Sequence, residues 1–217
     1  TSNSVSFDYR YSALGNHFIA EVQMASGNLN DDGAMVVDGA GLMVGGSLVR
    51  EGSPVPAAAG GQGGENWDNF DYTGIDEAGN WFFTGDTDAA TNDEIVVRNG
   101  AILYREGDTV DGQVLTGDIE GAFQTEARSL ALIWDIDSGG TALEALIVDG
   151  KVVLVEGDAV DLDGDGTPEP NSILANFTGI SAVTVGPGTV VYFTADIDVN
   201  GTTTTTDDVE GFFRMGA

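Results

Sequence analysis

The sequence predicts an all-β protein made of four repeats of a four-stranded antiparallel unit, and three features point there. Apolar residues fall in runs of four to eight broken by Gly, Asp and Asn, with 32 Gly in 217 residues and no long helix-favouring stretch. Three segments, GGSLVREG (Gly45 to Gly52), GAILYREG (Gly100 to Gly107) and GKVVLVEG (Gly150 to Gly157), align without gaps. Similar apolar runs precede each of them at a spacing of roughly fifty residues.

Taken in chain order, first strands are expected to begin near Phe7, Phe70, Phe123 and Phe177. The second strands read as HFIAEVQM from His17, WFFTGDTD from Trp81, LALIWDID from Leu130 and VVYFTADID from Val190, alternating as strands with two unlike faces do. The third strands read as GLMVG ending at Gly45, EIVVRNG at Gly100, EALIVDG at Gly150 and EGFFRMG at Gly216, with Glu94, Glu144 and Glu210 six residues before the closing Gly. The fourth strands are the three aligned segments. These assignments predict one domain, 1–217, with repeats 7–69, 70–122, 123–176 and 177–217 after an N-terminal extension, 1–6.

Four such units suit the blades of a small four-bladed β-propeller, with an open stack as the alternative. The last blade is expected to lack its outer strand within this sequence, since EGFFRMG is followed by Ala217 alone, unless that strand belongs to residues removed from the chain. An apolar edge carrying Phe212, Phe213 and Met215 would then invite pairing with another chain, or with the segment holding Val5 and Phe7. Donation by a neighbouring subunit would be heterologous and would make rings or filaments.

Composition narrows the partners. The hydrophobic content of 41% supports a core, while the formal charge of -29, with 36 acids against six Arg and the one Lys, Lys151, sets the chain against nucleic acid. Without Cys there is neither a disulfide nor thiol chemistry, and no apolar run reaches the roughly twenty residues that span a bilayer. The opening TSNSVSF lacks a basic and apolar leader, so an exported chain would be a mature form.

With the repeats laid out, the chain resembles bacterial secreted tandem-repeat proteins whose units carry Asn-x-x-Gly-x-x-Ala-Phe followed by an Arg-Glu-Gly-Asp-like turn. The second repeat carries the pattern as Asp76, Gly79, Phe82 and Phe83, then Arg105, Glu106, Gly107 and Asp108. Gly15 and Gly188 match its glycine, Arg128 departs from it, and Asp76 and Phe82 replace the Asn and Ala. The resemblance implies export and a propeller-like surface protein; it implies no reaction.

Among candidate sites, DLDGDGTPE spaces Asp161, Asp163, Asp165, Thr167 and Glu169 as positions 1, 3, 5, 7 and 9 of a calcium loop, with Gly166 at the sharp turn. Ser172 stands where an EF-hand places its bidentate Glu, and the surroundings are not helical. Secondary cation sites are Asp196, Asp198 and Asn200, with fainter echoes at Asn28, Asn30 and Asp32 and at Asp135 and Asp137; hairpin turns explain the same residues. Trp67, in an evident loop, is the candidate glycan contact, whereas Trp81 and Trp134 lie in strands.

Catalytic constellations are poor. His17 is the only His, which leaves no multi-histidine zinc site and one imidazole at most for a triad. AAAGGQGGEN lacks the Lys and helix of a phosphate loop and reads as a flexible loop, and Thr202 to Thr206 read as an exposed loop or glycan carrier. The expectation is a non-enzymatic, secreted structural module, calcium-stabilised and self-associating by strand pairing. The alternatives are a surface glycan or protein binder and, third, a glycoside hydrolase or lyase working through two carboxylates.

Overall fold

The computed structural model describes residues 9–24, 31–185, 188–201 and 208–216. It is all-β, with 59% of residues in strands, several antiparallel sheets and one sheet curled into half a barrel. Among the described residues the helical content is one 3-10 turn, Ala57–Ala59.

Four meanders follow one another along the chain. The first sheet orders β1 (Tyr9–Tyr11), β2 (Phe18–Gln23), β3 (Gly33–Val37) and β4 (Ala40–Gly41), followed by a small ribbon of β5 (Met43–Val44) and β6 (Ser47–Leu48). The second orders β7 (Trp67–Ile75), β8 (Trp81–Thr87), β9 (Ile95–Arg98) and β10 (Ala101–Arg105). The third runs through β11 (Thr109–Val110), β12 (Gln113–Gln124), β13 (Leu130–Asp137), β14 (Ala142–Val148) and β15 (Lys151–Val155). The fourth holds β16 (Ile173–Val185), β17 (Gly188–Asp198) and β18 (Val209–Gly216).

The turns explain why the third strands stop where they do. Asp38-Gly39, Asn99-Gly100 and Asp149-Gly150 all have positive φ at both residues, the two-residue turn whose twist matches paired strands. The Asx side chain serves twice: its Oδ1 also accepts the N–H of the second strand's first residue, Phe18, Trp81 or Leu130, at 2.9, 3.0 and 2.9 Å. Between first and second strands the turn is braced by a buried side chain in three repeats. Ser12 and Thr125 hydroxyls accept backbone N–H groups of His17 and Ser129, while Asp76 Oδ1 accepts those of Ala78 and Asn80. Within these turns Gly15, Gly79 and Arg128 occupy the left-handed region at φ 74, 75 and 71°. Arg128, the departure from the glycine pattern, has compensating contacts: its Nε lies 3.6 Å from Asp76 Oδ2, and its carbonyl accepts from Arg98.

Several expected strands differ. In the first repeat the third strand is Gly33–Val37 rather than GLMVG, because the Asp38-Gly39 turn comes earlier and the outer edge is interrupted by the β5–β6 ribbon. Pairing with β3 resumes at Arg50 and Glu51, whose N–H donates to Gly33 O at 3.0 Å. The later first strands β7, β12 and β16 begin three, ten and four residues before Phe70, Phe123 and Phe177, so boundaries at 70, 123 and 177 each cut a strand. Each long first strand, β7, β12 and β16, slips register twice against its neighbour, and these bulges hide the alternation from the sequence.

The chain divides into two compact units: Thr1–Asp108 with Glu126–Arg128, and Thr109–Thr125 with Ser129–Ala217. In the first, Ile19, Met35 and Val37 of the first sheet and Phe70, Phe83, Ile95 and Val97 of the second form one apolar cluster, which Trp67 joins. In the second, Ala131, Ile133, Leu146 and Val148 of the third sheet cluster with Phe177, Val191, Phe193 and Ala195 of the fourth. The aromatic centre repeats: Phe70 meets Phe83 edge-on at 5.5 Å, and Phe177 meets Phe193 edge-on at 5.5 Å.

Candidate functional site

The recurring Arg-Glu-Gly-Asp turn is architectural. Asp108 Oδ2 accepts the Arg105 N–H at 2.8 Å and the Asp108 N–H returns to Arg105 O at 2.9 Å, while Asp158 and Val155 repeat both bonds at 2.8 and 2.9 Å. Arg105 turns inward. Its guanidinium forms two bonds to Glu65, at 3.0 and 2.9 Å, and a third to Asn92 O at 2.9 Å. Glu65 closes the Gly-rich segment, which is ordered rather than loose: Gln62 N–H reaches Glu65 Oε1 at 2.7 Å, Pro54 bridges Asn66, and Ala59 enters the core. Trp67 opens β7 and is 1% exposed, packed edge-on against Phe83 at 5.7 Å. It therefore offers no face to a glycan; its apolar ring was drawn into the core because the segment before it is folded.

The acidic loop lies between β15 and β16. The carboxylates of Asp161, Asp163 and Asp165 each bring an oxygen within 4.8 Å of the others. They also organise the loop itself. Asp161 accepts from Gly164 and Gly166 at 2.8 and 2.7 Å, Asp163 from Asp165 at 3.0 Å and Asp165 from Thr167 at 2.8 Å. Glu169 stands outside that trio and caps the loop's start through Leu162 N–H at 2.6 Å and Asp163 N–H at 3.2 Å. Three of the five expected ligands are thus gathered. Carboxylate oxygens with lone pairs to spare suit a hard divalent cation.

Of the secondary residues, Asp196 lies in β17 opposite Glu210, and the buried Asp198 accepts the Asn200 N–H at 2.8 Å in the turn that follows. Asp137 similarly caps Gly140 at 2.6 Å. Asn28, Asn30 and Thr202 to Thr206 lie outside the described residues, as do Val5 and Phe7. A second carboxylate trio, Asp71, Asp86 and Glu94, again brings its oxygens within 4.8 Å. Sequence reading missed it because β7 reaches Asp71 only through its bulges. His17 is held by Asp38 at 2.8 Å, with its pKa raised chiefly by that hydrogen bond.

Comparison with family models, curated proteins and solved structures returned no match.

A further acidic group sits beside the second unit's core. Glu144 on β14 faces Asp135 on β13, and Glu144 Oε2 accepts the Phe177 N–H at 2.6 Å. Burial raises the pKa of both carboxyls; repulsion from Glu120, Asp118 and Glu156 adds to the rise at Asp135, and repulsion from Glu120, Asp135 and Glu156 to that at Glu144, where the Phe177 hydrogen bond opposes it. A carboxyl whose folded pKa exceeds its unfolded value contributes stability that is complete below the unfolded pKa and lost as pH climbs through the folded one. The melting midpoint should therefore rise as the protein is taken from pH 7 toward about 5. Glu144→Gln should flatten that slope and raise the midpoint at pH 7, a comparison that scanning calorimetry at several pH values makes directly.

The assembly edge is the remaining candidate. β18 hydrogen-bonds β17 along its whole length and, among the described residues, has no neighbour on its other side. In the other three sheets β4, β10 and β15 occupy that place. Phe213 and Met215 pack toward the core, whereas Phe212 is 71% exposed and stacks on Tyr192 with ring centres 5.7 Å apart.

Proposed function

We propose that this protein is a non-enzymatic, secreted structural module, a four-bladed propeller or propeller-like stack that self-associates by adding a strand to β18. The observation that carries the reading is the edge of the three-stranded fourth sheet, where β18 has no partner strand on its outer side among the described residues, with its row of backbone donors and acceptors beside the exposed Phe212 and Val209. Four successive meanders joined by equivalent turns support the propeller, and the resemblance to secreted repeat proteins supports export. The Asp161, Asp163 and Asp165 trio supports calcium as a stabilising ion of the loop leading into that same sheet.

Electron microscopy and sedimentation of the purified protein test this, with and without calcium. Filaments or rings are expected, and calcium should raise the thermal midpoint of the wild type while leaving Asp163→Ala unmoved. Uniform monomers across concentration and calcium would reject assembly, and an unchanged midpoint would reject the ion. Because the chain carries a formal charge of -29, added monovalent salt should promote association by screening repulsion between copies.

A further inference from the structure

The third strands of the second and third sheets are enclosed, and that of the fourth is not. Ile95, Val96 and Val97 of β9 are buried, as are Ala145 to Val148 of β14, whereas no residue of β18 is buried. In the two enclosed sheets the outer neighbour bonds the third strand at an equivalent Glu: the Glu106 N–H donates to Glu94 O at 2.9 Å and the Glu156 N–H to Glu144 O at 2.8 Å. Glu210 stands at the matching place, opposite Asp196 as Glu144 stands opposite Asp135. Its carbonyl therefore points to the outer edge, and alternation along β18 sends the N–H and C=O groups of Phe212 and Arg214 to that same edge.

The side chains of Glu210, Phe212 and Arg214 share one face, away from Phe213 and Met215, and all three are exposed. Their order along the edge is acid, ring, base, which is complementary to itself when reversed. An antiparallel copy of β18 centred on Phe212 would set Glu210 opposite Arg214 twice, with Phe212 opposite Phe212 between them. A slide of two residues in either direction sets a charge against Phe212, and a slide of four sets Glu210 against Glu210 or Arg214 against Arg214. On the other face the centred register places Gly211 opposite Phe213 and Val209 opposite Met215. Within one copy Glu210 stands directly across from Asp196, a like charge, and Arg214 of a second copy would add the missing cation to that row.

Resting on the self-association reading, we infer that the strand added to β18 is β18 of a second copy, antiparallel and centred on Phe212, so that two three-stranded sheets join into one of six strands. Backbone donors and acceptors on both edges gain partners, and Phe212, 71% exposed in one copy, gains a ring across the joint. The charges decide the register. In a chain of net charge -29, copies repel, and this contact sets one of only six Arg against an acid of the partner on each side of its centre. Each contact occurs twice, so the joint is isologous and closes at two copies; a longer assembly is built from such dimers.

Charge-swap variants of the full-length protein test it by sedimentation velocity. Wild type should sediment as a dimer or as multiples of one. Glu210→Arg sets base against base and Arg214→Glu sets acid against acid, so each variant alone should remain monomeric; both positions are exposed, and melting curves like the wild type's confirm folding. An equimolar mixture of the two should double in mass, because two basic positions of one copy then meet two acidic positions of the other. The double variant, Glu210→Arg with Arg214→Glu, should pair with itself again. A mixture or a double variant that stays monomeric overturns the inference. So does either single variant that associates like wild type, which would leave strand donation by another segment standing. A monomeric wild type at every concentration overturns the self-association reading itself.

Discussion

Arg105→Met should cost about 3–5 kcal/mol of stability, the penalty for leaving one charge of a buried pair without its partner. The side chains of Arg105 and Glu65 are 6% and 4% exposed and meet at 2.9 Å. Glu65 also accepts from Thr87 Oγ1 at 3.3 Å and from the Gln62 N–H, so its carboxylate is the hub that ties the Gly-rich segment to the second sheet. With the guanidinium gone, the buried Glu65 side chain is left without its counter-charge. The double variant Glu65→Leu with Arg105→Met removes both charges and should recover most of the loss, because an apolar pair of similar volume avoids the desolvation of two ions. Urea unfolding resolves the two cases. A single variant that loses less than about 1 kcal/mol would show that water reaches the pair and screens it, as it does at exposed ion pairs.

The parts of this fold that could be read from sequence are those fixed by local chemistry. Apolar runs closing at Gly100 and Gly150, each followed by a Gly-bounded aligned segment, place the hairpins after β9 and β14, and the second strands are legible with nearly the right bounds because they are continuous and regular. The first strands were harder. Their register slips put extra residues on the first strand, so an alternation count fails around Phe70 and between Leu115 and Gly121 although the strands are long. In the first repeat the GGSLVREG segment aligned well, but only its final residues rejoin β3, because the β5–β6 ribbon interrupts the edge.

Burial was the least legible property at the sites. Trp67 follows a run of glycines and reads as part of a loop, yet the Glu65–Arg105 pair folds that run and delivers the indole to the core. Arg105 belongs to a motif that looks like an exposed turn; its partner lies forty positions away in sequence, and no local pattern joins them. Asp161, Asp163 and Asp165, by contrast, converge as their spacing suggested, because alternate residues of a tight Gly-containing loop point to one side. Glu169 took a different task, since the backbone at Leu162 and Asp163 needed an acceptor.

Phe83→Ala should cost about 3–5 kcal/mol, the usual range for emptying an aromatic site in a packed core. Phe83 has no exposed surface and touches three rings at once: Trp67 and Phe70 edge-on at 5.7 and 5.5 Å, and Trp81 stacked at 6.0 Å. Strands on both sides hold those rings in place, so the cavity is slow to collapse. Phe193→Ala tests the corresponding position in the other unit, where Phe177 and Phe213 are the neighbours at 5.5 and 5.1 Å. Because each unit has an apolar cluster of its own, calorimetry should assign the two losses to different parts of the unfolding profile: Phe83→Ala moves the transition of the first unit and Phe193→Ala that of the second. Phe212→Ala is the control. Its ring is 71% exposed, so in dilute solution the midpoint should stay within about 0.5 kcal/mol of wild type. Equal shifts of one sharp transition by both core variants would show instead that the four sheets unfold as a single cooperative block, with the energy of each core shared along the whole chain.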